Sequence, residues 1–122
     1  MKEQFIPYEL AVKLKEIGFE ENTLAEYDLN KELFFYNEMD GNTKTSCKAP
    51  LWQQAFDWFE EKHKLYSIIE NVILDFGITD CRNNDIQIIK SISHESECKS
   101  KIEVKSNCLE KLIQIISTPN HP

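Results

Sequence analysis

The segment Ala49-Pro50-Leu51-Trp52-Gln53-Gln54-Ala55-Phe56-Asp57-Trp58-Phe59-Glu60-Glu61-Lys62 carries both tryptophans of the chain and two of its seven phenylalanines. At about 100° per residue, Trp58, Leu51, Ala55, Phe59, Trp52 and Phe56 fall in an apolar arc of roughly 160°. Glu60, Gln53, Asp57, Glu61 and Gln54 fill the opposite side. A helix built this way must bury its apolar face, either in the core of its own chain or against a partner. Core filling is the plainer use, because a small sheet needs a bulky helix to cover it. The arc is nevertheless wider than one sheet contact requires, and Trp58 lies at its edge, far from Phe56. A half-exposed Trp58 beside Gln54 would suit the rim of a protein-binding surface, since tryptophan is a favoured anchor and glutamine adds hydrogen bonds without charge. Trp58, Gln54, Gln53 and Trp52 are therefore the candidate binding residues.

A chain of 122 residues is the size of one domain and needs neither disulfide nor metal to fold. Its 11% aromatic content argues against disorder. The net charge of −7 is unevenly spread. Residues 1–41 hold ten acids against four lysines, whereas residues 81–122 hold five acids against five lysines and Arg82. An acidic amino-terminal third repels phosphate, and Arg82 is the sole arginine, so direct nucleic-acid binding is not expected. No basic start leads into an apolar stretch, and the most apolar region, 68–76, is interrupted by Glu70, Asn71 and Asp75. That is far short of the ~20 apolar residues of a membrane span. A cytoplasmic location follows as the expectation, with Cys47, Cys81, Cys98 and Cys108 as reduced thiols.

Along the chain, Leu10, Leu14 and Ile17 recur at helical spacing, which predicts a helix from Pro7 to Ile17. Gly18 suits the left-handed position just past its end, with Phe19 packing back on Leu14. Leu24 to Asn37 reads as a hairpin turning near Leu29-Asn30-Lys31-Glu32, and Met39 to Lys48 as a polar loop. After the aromatic helix, the β-branched run Tyr66 to Ile78 predicts one strand and Ile86 to Ile92 another, with turn residues Asp80 to Asp85 between them. Ser93 to Ser100 is a polar link. A final helix with Val104, Cys108, Leu109, Leu112, Ile113, Ile115 and Ile116 on a broad apolar face runs to about Ile116, ahead of a loose tail at 118–122. The expected fold is a single α+β domain over 1–122, with three helices on an antiparallel sheet of about four strands in the order α-ββ-α-ββ-α. The doubled helix-then-hairpin order has no residue-level self-similarity behind it and reads as coincidence.

Reactive chemistry finds little support. No two cysteines stand closer than ten residues, and neither C-x-x-C nor H-x-x-x-H occurs, so no metal site is expected. Cys47 precedes the aromatic helix and could feel its positive end, but no base or oxyanion site accompanies it. Cys108 lies on an apolar arc and reads as a small core residue. Gly18, Gly41 and Gly77 are too scattered for a phosphate loop. No catalytic residue and no cofactor is expected. A different use of the charge is conceivable: Glu3, Glu9, Glu16, Glu20, Glu21, Glu26, Asp28, Glu32, Glu38 and Asp40 together would imitate a phosphate array and occupy a DNA- or RNA-binding protein.

The stretches Phe5-Ile6-Pro7-Tyr8-Glu9-Leu10-Ala11-Val12-Lys13-Leu14-Lys15-Glu16-Ile17-Gly18-Phe19 and Ala49 to Phe59, with Cys108-Leu109-Glu110-Lys111-Leu112-Ile113, resemble a family of small uncharacterised proteins of bacteria and their phages. The resemblance implies a bacterial cytoplasm or a mobile element and carries over no activity or site residue. The expected role is a non-catalytic accessory domain with an unidentified protein partner. The acidic nucleic-acid mimic is the alternative.

Overall fold

The computed structural model describes residues 2–38, 43–70, 72–82, 86–90 and 100–117. They form two compact units, Met1–Ala55 and Phe56–Pro122, and the division falls within the aromatic helix.

In the first unit a 3-10 turn, Lys2–Gln4, precedes α1, Tyr8–Glu16. Pro7 is the N-cap of α1 and makes no side-chain cap bond. Its end is a complete Schellman arrangement. Gly18 sits at φ 101°, the Phe19 N–H donates to Leu14 O at 2.9 Å, and the Gly18 N–H donates to Lys15 O at 3.1 Å. Strands β1 (Ala25–Asp28) and β2 (Leu33–Phe35) form the expected hairpin. The Asp28 carboxylate fixes the turn by accepting the N–H groups of Asn30 and Glu32, while Lys31 takes a left-handed φ of 67°.

Strand β3 (Thr45–Ala49) corrects the last part of the loop expected over Met39 to Lys48, of which 39–42 lie outside the described residues. It pairs antiparallel with β1, giving the strand order β2-β1-β3. Its alternation was masked because the inward side chains, Cys47 and Ala49, are small. The amino-terminal strip is sewn to the end of β3. The Ile6 N–H donates to Pro50 O at 2.9 Å, the Tyr27 hydroxyl donates to Ile6 O at 2.6 Å, and Phe5 bridges Leu51. Leu10, Ala11, Leu14, Phe19, Ala25, Tyr27, Cys47 and Ala49 are buried in this unit.

Helix α2, Trp52–His63, begins in the first unit and continues into the second. There follow β4 (Leu65–Glu70), β5 (Asp75–Asp80) and β6 (Gln87–Lys90), an antiparallel meander. The run read as one strand, 66–78, is thus a hairpin. Among the described residues its tip is Val72, Ile73 and Leu74, so a continuous apolar run concealed the reversal. Leu74 accepts a left-handed φ of 51° to make it. Inward positions change parity across the tip, from Leu65, Ser67 and Ile69 to Phe76, Ile78 and Asp80.

Helix α3 (Lys101–Ser117) packs on β4 and β5 through Val104, Cys108, Leu109, Leu112 and Ile113. Ser100 caps it by accepting the Glu103 N–H at 3.2 Å, the arrangement typical of a Ser-x-x-Glu start.

The α+β class and the alternation of helices with antiparallel hairpins stand as expected, but the strands sort into two three-stranded sheets rather than one. The two sheets also differ in strand order. The first strand is central in one and the second in the other, which speaks against an internal duplication. The expected turn at Asn83-Asn84, the link 93–99 and the tail 118–122 lie outside the described residues.

Candidate functional site

The four candidate binding residues all lie on α2, with Trp52, Gln53 and Gln54 in the first unit and Trp58 in the second. Both indoles are 5% exposed. The Trp52 Nε1–H donates to Glu3 O at 2.9 Å. Trp58 meets Phe59 and His63 edge-to-face, at centroid distances of 5.0 and 4.8 Å. Gln54 donates from Nε2 to Asn22 O at 2.6 Å, and Gln53 is exposed. The half-exposed Trp58 is therefore corrected. Both edges of the arc are used for burial, and Gln54 holds a loop of its own chain.

Leu24, Leu29 and Tyr36 in the first unit and Ile102 on α3 are exposed, but most of the exposed large apolar residues among those described belong to the second sheet. The ladder places Tyr66 opposite Thr79 and Thr79 opposite Ile88, and it places Ile68 opposite Gly77. α3 packs against β4 and β5, and the Cys108 thiol shares a hydrogen bond with Ser67, which marks the Ser67–Ile78 side as the inner one. Antiparallel sheets with one covered face normally turn polar residues outward. Here the outward positions hold Tyr66, Ile68 (62% exposed) and Ile88 (68%), with Ile86 exposed just before β6. Val72 (95%) and Ile73 extend the strip to the hairpin tip. Gly77 and Thr79 make the centre low; a Cβ placed on Gly77 would meet nothing within 4 Å. The result is a shallow trough along β5, flanked by Tyr66 and Ile68 on β4 and by the positions of Ile88 and Lys90 on β6. The sequence signal was present as apolar residues at both parities of Tyr66–Ile78 and in the Ile86-x-Ile88 spacing, which is too many for one buried face.

Several described ionisable groups are shifted by burial or by a neighbour. Asp80, 8% exposed, accepts from Arg82 Nε at 3.0 Å, from Nη2 at 2.8 Å and from the Arg82 N–H at 3.0 Å. These bonds hold its carboxyl below the usual range. His63 Nε2 is buried with no hydrogen-bond partner among the described residues. Burial, then the charges of Arg82 and Lys62, push its pKa down. Cys47 is no helix-end thiolate. It is buried in β3, and that burial pushes its pKa up despite Lys15. Burial likewise pushes Cys108 up to about 12. A thiol so shifted is a poor nucleophile at neutral pH.

Among the described residues no group of three His, Cys, Asp or Glu side chains could hold a metal ion, and no helix is long and apolar enough to cross a membrane. No protein-family model, curated protein or solved structure matches this chain.

Proposed function

We propose that this chain is a small non-catalytic interaction domain of a bacterial or phage cytoplasm, docking a protein on the outer face of its second sheet. The observation that carries this reading is the exposure of Ile68 and Ile88 on a sheet face whose reverse is already covered by α3. Leaving such a face in water forgoes roughly 25 cal/mol per Å² of apolar surface, so a complementary surface would gain from covering it. The resemblance to small bacterial and phage proteins supports the cellular setting.

The acidic-mimic reading has weaker support. Asp28 and Glu38 spend carboxylate oxygens on their own backbone, and Glu26 accepts the Tyr36 hydroxyl, so the array is partly committed internally. Capture from bacterial lysate with wild type and with the Ile68→Lys, Ile88→Lys double variant tests the proposal. Proteins retained at high salt by the wild type and lost from a folded variant support it. Retention that ignores the substitutions and washes off with salt contradicts it and favours the mimic.

A further inference from the structure

We infer that the occupant of this face is a second copy of the same chain, packed sheet to sheet about a two-fold axis; the inference rests on the docking role just proposed. Its first support is area. With the axis described below, between β4 and β5, the covered residues are Tyr66, Ile68, Val72 and Ile73, which offer on the order of 450 Å² to solvent, against ~800 Å² per partner in a standard interface. An area of this size supports a weak dimer that forms in the micromolar range.

Its second support is shape. An isologous interface requires that where residue i meets residue j, j also meets i. Ile68 and Gly77 are direct cross-strand partners, one a projecting aliphatic side chain and the other a bare Cα under open space. A two-fold axis between β4 and β5 seats Ile68 of each copy in the hollow over Gly77 of the other. Tyr66, beside Thr79 in the next outward row, meets a small residue by the same operation. Two antiparallel faces stacked in this way form a sandwich with the usual spacing of ~10 Å between sheets.

Charge supplies the third consideration. Charge on this ladder lies at Lys90, the register partner of Gly77 on β6, and at the Glu70–Asp75 pair beside the hairpin tip, where the same two-fold sets Glu70 of each copy over Asp75 of the other. The chain as a whole carries −7, so two copies repel at long range. Salt screens that repulsion and leaves the apolar contact intact, and the dimer must tighten as ionic strength rises. A complex held by opposite charges would do the reverse.

Sedimentation equilibrium of the full chain under reducing conditions, from about 1 to 200 μM and at low and high salt, reads the association directly. The monomer mass is 14.3 kDa. The expected result is a concentration-dependent rise to twice that mass, stronger in high salt. Ile68→Lys abolishes the rise. Gly77→Val, whose added Cβ has room within its own chain, weakens association by about tenfold or more by filling the hollow. Circular dichroism confirms that both variants fold. A wild type monomeric at every concentration, a dimer indifferent to both substitutions, or one dissolved by salt overturns the inference. If the wild type is monomeric yet the lysate capture still depends on Ile68 and Ile88, the docking face stands and only its assignment to a second copy falls.

Discussion

Replacing Asp80 by Asn removes the charge while keeping the shape, and the structure fixes what that should cost. The carboxylate lies on the inner side of β5 and takes the Arg82 guanidinium two-pronged, with the Arg82 N–H as a further donor. Hydrogen bonds to charged groups contribute about 1.5–3 kcal/mol each when well shielded. The Arg82 side chain is 39% exposed and can recover water when its partner is lost, so the set is worth far less than its sum. A loss of about 1–2 kcal/mol at pH 7 follows, displacing the urea midpoint by roughly 0.5–1 M for a domain of ordinary m-value. The pH dependence supplies a second check. The folded-state pKa of Asp80 is lowered from 3.8, so its stabilisation is fully present above that value and is lost as pH falls through the folded pKa. Urea unfolding of wild type and Asp80→Asn should therefore differ at pH 7 and converge at strongly acid pH. Equal midpoints at pH 7, or a gap that persists in acid, would refute the reasoning.

Two further outcomes follow from buried groups. His63, whose pKa is lowered from 6.5 chiefly by burial, favours the neutral ring when folded; that preference contributes no loss above pH 6.5 and erodes stability progressively as pH falls below it, so its NMR titration midpoint should lie below that of a free imidazole. In a Cys98→Ser background, Cys47 and Cys108 should react with a thiol reagent only as fast as the protein opens, while the partly exposed Cys81 reacts first; simultaneous labelling of all three in the native protein would contradict their placement.

The helices were legible in the sequence because each carries a local signal. Gly18 and Phe19 announce the end of α1, and the apolar periodicities of α2 and α3 match the residues that are buried. The aromatic arc was correctly read as an apolar face but misread at its edge. Periodicity tells which side of a helix is apolar and not how widely the surroundings wrap it, so Trp58 stood open in expectation and is closed in fact. The strands were harder because their signals depend on partners distant in sequence. β3 buries only Cys47 and Ala49, too little hydrophobicity to stand out from a polar loop. The β4–β5 hairpin turns on Val72, Ile73 and Leu74, residues that normally continue a strand. The docking face escaped notice for the same reason, since its excess of aliphatic residues is indistinguishable from core until α3 is seen to occupy the other side.

Site-specific photo-crosslinking tests most directly where this chain meets its partner. A photoreactive side chain placed at Ile68 or Ile88 should give crosslinked products, whereas the same group at Lys111, exposed on α3, should give none. Products formed at Lys111 in place of the two sheet positions would show that the outer face of β4, β5 and β6 is not the surface this protein uses.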